Sequence, residues 1–187
     1  MIQFTSAREK RYWIAAAVVV ALIYATLGLA QSLAEELRDQ EWVSTAIWLG
    51  LWLIVAAIVV LGLKRRTGWA MIGVALGIVG VYVLVMARMG IPEERSHLIE
   101  YGIVAILVHE ALKERFAGRY GVLKPAMLAI AITAVIGTVD ELIQAVLPNR
   151  VFDIRDVAFN AFAAVLAVGA SVALSFVRNL ATSRQKA

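Results

Sequence analysis

The chain has 187 residues, of which 61% are hydrophobic and only 17% are charged, and its mean hydropathy is +0.80. This composition is too apolar for the surface of a soluble globule, so we predict an integral membrane protein. The net charge of +4 indicates cytoplasmic loops rather than a nucleic-acid partner, and the lack of cysteines excludes disulfide bonds and thiolate metal sites.

Six apolar windows along the chain predict membrane-spanning helices, because a hydrocarbon core about 30 Å thick needs roughly 20 helical residues. The predicted fold is all-α: a polytopic bundle of about six transmembrane helices that forms one membrane domain, residues 1–187. The fourth window is short and carries charged residues, so we expect its helix to begin nearer Ile91. In chain order the windows are Tyr12–Ala30, Val43–Leu63, Trp69–Met89, His97–Leu112, Lys124–Leu147 and Asp153–Val177.

The basic residues give this bundle an orientation. Thirteen of the 18 Lys and Arg residues fall at one set of alternate connections and at the two ends of the chain, and five fall at the other set. Because cytoplasmic loops carry the excess of Lys and Arg, both termini are predicted to be cytoplasmic. The first window is about 19 residues long, which exceeds the apolar core of a signal peptide and favours an uncleaved anchor.

The connection between the fifth and sixth windows is unusually polar for this chain. Residues 140–160 read DELIQAVLPNRVFDIRDVAFN, and the predicted orientation places their turn at the outer face. The helical spacing sets polar residues on one face of each neighbouring helix: His97 with Glu100, Asp140 with Gln144, and Asp156 with Asn160. Asp153 stands where a carboxylate favours the positive end of the sixth helix.

These acids are expensive inside a membrane. A charged side chain at the bilayer centre costs on the order of 3 kcal/mol, so such residues normally face a protein interior or a water-filled cavity. Structural hydrogen bonding between helices is the simpler explanation, yet packing alone would more cheaply use Ser, Thr or Asn. We therefore predict a polar, carboxylate-rich pocket near the outer face, whose acids are paired, protonated or bound to a cation.

Four elements in this region resemble the VanZ-like family of small bacterial membrane proteins. They are His97-x-x-Glu100-Tyr101, Asp140-Glu141-x-x-Gln144, Pro148-x-Arg150 and Asp156-x-x-x-Asn160. Their order and spacing agree over about residues 90–170, and residues 12–68 form a two-span N-terminal extension to that region. The resemblance implies a multi-pass protein of the bacterial plasma membrane and cell envelope, related to proteins associated with glycopeptide resistance.

The residue types suggest a role for each part of the predicted pocket. We expect it to bind or modify a lipid-linked or phosphate-bearing envelope molecule. Acids and a histidine would transfer protons, and the planar guanidinium groups of arginines would bind the anionic head. The catalytic candidates are His97, Glu100, Asp140, Glu141 and Asp156. The substrate-binding candidates are Arg150, Arg155, Gln144, Asn160 and Tyr101. The candidate ligands of a divalent cation, Mg²⁺ or Ca²⁺, are Asp140, Glu141, Asp153 and Asp156.

Two other classes of protein fit the same residues. In a transporter, the carboxylates would relay protons or cations across the membrane. In an assembly factor, they would contact another membrane protein and catalyse nothing. The chain carries no Gly-rich phosphate loop and no H-E-x-x-H sequence, so those enzyme classes are set aside. The sequence leaves open whether the protein is an enzyme.

Overall fold

The computed structural model describes residues 3–37, 49, 53, 56, 59–60, 68–89, 92–148 and 151–184. All regular structure in these ranges is α-helical, as the sequence predicts. Five helices can be traced there: α1 (Ala7–Leu37), α2 (Trp69–Arg88), α3 (Pro92–Phe116), α4 (Leu123–Gln144) and α5 (Ile154–Arg184).

Four of these helices are long and apolar enough to cross a membrane. The candidate spans are Ala7–Leu27, Trp69–Arg88, Leu123–Gln144 and Ile154–Ala181, and each overlaps one of the predicted windows. The second predicted window, Val43–Leu63, lies mostly outside the described residues. The described helices therefore support four of the six predicted spans, and they leave the side of the termini unassigned.

Helix α3 coincides with the weak fourth window, and it begins at Pro92, next to the expected Ile91. At 25 residues it is about 37 Å long, enough to cross the hydrocarbon core. Its buried face carries polar side chains, whereas Ile99, Ile103 and Ile106 are exposed at i, i+4 and i+7. The helix thus turns an isoleucine stripe outward and buries His97, Tyr101 and His109, and its many charged residues are the reason that its hydropathy does not mark it as a span.

The chain divides into two compact units. One contains Met1–Gln31 and Ile91–Ser171, and the other contains Ser32–Gly90 and Val172–Ala187. All candidate site residues belong to the first unit. In the second unit, helix α2 buries Ile72, and its other residues are half-buried or exposed.

Helices α3 and α4 form an antiparallel hairpin. The connection, residues 117–122, begins where the backbone N–H of Ala117 donates to Lys113 O at 2.9 Å. Ala117, Gly118 and Gly121 have φ values of 44°, 76° and 65°, left-handed conformations that stop a helix and suit glycine. This reversal sets the start of α3 and the end of α4 at the same end of the unit.

Helix α1 runs antiparallel to α3 and is held at two heights. Near the start of α1, the fully buried Glu9 accepts a hydrogen bond of 2.6 Å from Arg115 Nε. Glu9 also accepts bonds of 2.6 Å and 2.7 Å from the backbone N–H and the hydroxyl of Thr5. About 22 Å further along α1, the Tyr24 hydroxyl donates to Ile136 O at 2.8 Å. These bonds fix α1 against the hairpin.

Helix α5 returns antiparallel to α4 and starts at a side-chain cap. The Asp153 carboxylate accepts a hydrogen bond of 2.8 Å from the backbone N–H of Arg155, and Asp153 O accepts from the N–H groups of Asp156 and Val157. An aspartate in this position satisfies donors that the first helical turn leaves unpaired. Asp153 therefore acts at the helix start, where the sequence suggests it.

Candidate functional site

Six polar side chains are buried together where α3 begins, α4 ends and α5 passes. Tyr101, Asp140, Glu141 and Asn160 have no exposed surface, Gln144 is 3% exposed and His97 is 6% exposed. We call these six residues the polar cluster. Burial of this kind requires hydrogen bonds or compensating charge, because an isolated polar group in an apolar setting loses its water without replacement.

Two adjacent carboxylates form the acidic part of the cluster. The Gln144 side chain donates from Nε2 to Glu141 Oε1 at 2.8 Å and lies 3.4 Å from Asp140 Oδ2. One amide therefore connects both acids across a single turn of α4. Because the two carboxylates share a water-poor site, they are difficult to ionise together unless a proton or a cation lies between or beside them.

His97 faces these acids from α3. Its Nδ1 atom lies 4.0 Å from Asp140 Oδ2, which is too far for a direct hydrogen bond. The Tyr101 ring stacks on the imidazole at 5.9 Å between centroids and 21° between planes. Asp140 also interacts electrostatically with the hydroxyls of Tyr24 and Tyr101. The imidazole is thus held in place by packing against an aromatic ring.

The start of α5 contacts the same acids. The Asp153 backbone N–H donates to Glu141 Oε2 at 3.3 Å, so the connection after α4 folds back over the end of that helix. Asp156, half-buried in the first turn of α5, interacts electrostatically with Glu141. Asp153 contributes its backbone to the cluster, while its carboxylate is used as the helix cap and the residue is exposed.

A close helix crossing places α5 against α4 one turn before the two acids of α4. Asn160 Nδ2 donates to Gly137 O at 3.3 Å, and a Cβ atom added to Gly137 would lie 2.5 Å from the Cβ of Asn160. Only glycine permits this approach. Gly137 precedes Asp140 by one turn, so the crossing also sets how deeply α5 lies beside the two carboxylates.

The other predicted site residues lie at or near the edge of the cluster. Glu100 is half-buried one turn after His97 and interacts electrostatically with His97 and Asp140. Arg155 is exposed at the start of α5. Arg150 lies outside the described residues. The helical spacings thus gather His97, Asp140, Glu141, Gln144 and Asn160, whereas Arg155, the predicted cation that the structure describes, is not among the buried residues.

The described residues contain one group that could hold a metal ion: His97, Asp140 and Glu141, whose ligand atoms lie within 4.8 Å of one another. The sequence suggests a different set, Asp140, Glu141, Asp153 and Asp156. The two sets share both acids of α4. In the structure a histidine from α3 completes the group in place of the two aspartates from α5.

Sequence reasoning does not single out Gly137 or Tyr24. The signal for Gly137 is weak, because an isolated glycine in an apolar helix usually marks ordinary packing. Tyr24 is 116 residues from Asp140 in the chain, and nothing in the local pattern of α1 relates the two. Both residues become visible only when the helices are placed side by side.

The arrangement has a defined chemical capacity. A histidine nitrogen, two carboxylates and a half-buried glutamate can share or move a proton, or can hold a cation by nitrogen and oxygen ligands. Gln144 and the Asp153 backbone orient Glu141, and Tyr101 orients His97. The polar cluster is thus suited to general acid-base chemistry or to cation binding.

Comparison with protein families gives one result. The model of the VanZ/LLP1 family matches residues 16–176, which include every candidate site residue. This match confirms the resemblance stated from the sequence motifs, and it extends well before residue 90, into α1. The comparisons with curated proteins and with solved structures each gave no match.

The Gly137 crossing gives the first prediction. Gly137→Ala forces a Cβ atom against Asn160, and we expect it to destabilise the protein by about 2 kcal/mol, the usual cost of overpacking. Gly169→Ala in α5 is the matched control, since an added Cβ meets nothing within 4 Å there and alanine is the better helix former. Thermal unfolding in detergent measures both; equal melting temperatures would contradict the assigned crossing.

Proposed function

The chain belongs to the VanZ/LLP1 family, and from that premise we propose that it is a multi-pass protein of the bacterial plasma membrane whose polar cluster binds the anionic head of a lipid-linked envelope molecule near the outer face. The burial of two carboxylates, a histidine and two amides in one cluster of a membrane domain is the observation that carries this proposal. Ordinary helix packing does not require such a costly set of side chains.

The outer location follows from the distribution of charge on the first unit. The end opposite the polar cluster carries Lys113, Arg115, Arg119 and Lys124, around the turn between α3 and α4. The positive-inside rule assigns that end to the cytoplasm and the polar cluster to the outer half of the membrane. Arg115 also donates to the Gln3 carbonyl at 3.3 Å, so the N-terminal segment lies at this same end and is cytoplasmic in the proposed orientation.

The recognition chemistry combines cations at the rim with neutral donors inside. Arg155 is exposed at the start of α5, and Arg150 precedes it in the connection from α4. Guanidinium groups bind phosphate as planar forks, and a lipid tail beside them is accommodated by the membrane itself. Neutral side chains of the cluster orient the polar groups of the ligand that enter its interior; they are Gln144, Asn160 and Tyr101.

Within the same proposal, the acids and histidine perform proton chemistry on the bound head. His97 and Glu100 exchange a proton at the α3 side, and Asp140, Glu141 and Asp156 act from the α4 and α5 side. For these residues to reach the headgroup, part of the ligand must enter between the helices. The reaction class is acid-base chemistry on an oxygen-rich headgroup.

The orientation is tested by thiol labelling, which the cysteine-free chain makes simple. Val151→Cys, at an exposed position between α4 and α5, should react with a membrane-impermeant maleimide on intact cells. Arg119→Cys and Phe4→Cys, also at exposed positions, should react only after permeabilisation. The reverse pattern would move the polar cluster to the cytoplasmic side and remove the basis for an outer-leaflet ligand.

The headgroup proposal is tested by binding of a polyisoprenyl monophosphate to full-length protein in phosphatidylcholine nanodiscs. The double variant Arg150→Gln/Arg155→Gln should bind at least about tenfold more weakly, since charge-assisted bonds to phosphate contribute on the order of 1.5–3 kcal/mol. Arg119→Gln, at the opposite end of the first unit, is the matched control and should bind as wild type. No saturable binding, or equal weakening by the two sets of changes, would contradict the proposal.

A further inference from the structure

The polar cluster contains a histidine nitrogen without a hydrogen bond to any described residue. Nδ1 of His97 is buried, faces Asp140 Oδ2 at 4.0 Å, and is kept there by the Tyr101 ring that stacks on the imidazole. A buried polar atom of this kind normally has a partner. The neighbouring atoms are carboxylate oxygens that face the same space, which is the arrangement of ligands around an ion.

Charge balance leads to the same conclusion. Asp140 and Glu141 have no exposed surface, and the hydrogen bonds to Glu141 come from two neutral donors, the Gln144 amide and the Asp153 backbone N–H. Neutral donors orient a carboxylate without cancelling its charge. A divalent cation beside both acids would cancel the charge and remove the main cost of burying them.

We infer that His97, Asp140 and Glu141 bind one divalent metal ion of the zinc class, which includes Zn²⁺, Mn²⁺ and Fe²⁺. Their ligand atoms lie within 4.8 Å of one another, and metal bonds of about 2 Å from each would draw these atoms closer together around the ion. The inference goes beyond the proposed function, since the ion binds whether or not a headgroup is present.

The ligand types select the metal class. Mg²⁺ and Ca²⁺ prefer shells of oxygen atoms, whereas an imidazole nitrogen with two carboxylates is typical of zinc and of first-row transition metals. The Asp153 carboxylate caps α5, so it is not one of the oxygen ligands that the sequence predicts for Mg²⁺ or Ca²⁺. Three protein ligands leave at least one coordination position open, as in zinc sites that act on a bound water or substrate.

The surrounding contacts match those of an outer shell. Gln144 donates to Glu141 and approaches Asp140, the Asp153 backbone donates to the other oxygen of Glu141, and Tyr101 fixes the imidazole plane. Outer partners of this kind orient metal ligands and raise affinity. Each oxygen that accepts one of these hydrogen bonds keeps a lone pair for the ion.

The test is metal titration of full-length protein purified in detergent and stripped with a chelator. Competition with a fluorescent zinc indicator should show one Zn²⁺ per chain, unaffected by a large excess of Mg²⁺ or Ca²⁺. His97→Gln and Glu141→Gln should each weaken binding on the order of 100-fold, since loss of an outer partner alone costs up to that much. His97→Cys should restore binding, because a thiolate replaces the imidazole as a zinc ligand.

His109→Gln is the matched control, because His109 is also buried on α3 and its ring nitrogens also lack hydrogen bonds to the described residues. It lies about 18 Å along the helix from His97, so its loss should leave Zn²⁺ affinity unchanged. Size-exclusion and melting profiles of the stripped variants show whether weaker binding reflects misfolding.

The inference is overturned by absence of saturable Zn²⁺ binding, by equal affinity for Mg²⁺ and Ca²⁺, or by equal losses in His97→Gln and His109→Gln. Repeating the polyisoprenyl phosphate titration on stripped protein separates the two proposals. Headgroup binding without any Zn²⁺ site would remove the metal inference and leave the proposed function. A Zn²⁺ site without headgroup binding would do the opposite.

Discussion

The structure of the first unit depends on the cost of keeping carboxylates inside a membrane protein. Asp140 and Glu141 are adjacent in α4 and both are fully buried, so that helix must be covered by protein over a wide arc at this height. Helix α3 covers it with His97 and Tyr101, and the start of α5 covers it with the Asp153 backbone. Burial is tolerated because each neighbouring helix supplies polar groups at the same depth.

This constraint relates packing to chemistry. The Gly137 crossing brings α5 close enough for Asn160 to bond the α4 backbone, and the hairpin turn brings His97 opposite Asp140. Both features are properties of the helix arrangement, yet they determine which ligand atoms converge. A metal ion, a shared proton and a headgroup all require this convergence, and a small change in the helix crossing would affect each of them.

The sequence predicts the helices and much of the cluster. Helical spacing assigns three pairs of residues to common faces: His97 with Glu100, Asp140 with Gln144, and Asp156 with Asn160. The distribution of basic residues places these faces at one end of the bundle. The sequence predicts the two acids of the candidate metal group, Asp140 and Glu141, but not its histidine. That group depends on which side chains meet across helices, and helix capping by Asp153 cannot be separated from metal ligation by charge pattern alone.

The same limit applies to the long-range contacts. Glu9 follows Ser6 in the spacing of a helix-capping motif, which explains its place in the sequence, but its pairing with Arg115 spans more than a hundred residues.

The approach of His97 to Asp140 is tested most directly by paired cysteines in this cysteine-free chain. His97→Cys/Asp140→Cys should bind one Hg²⁺ between its thiols and resist alkylation, as intact mass shows. His109→Cys/Asp140→Cys should remain open to alkylation; equal alkylation of both pairs would contradict convergence of α3 and α4 at the acids.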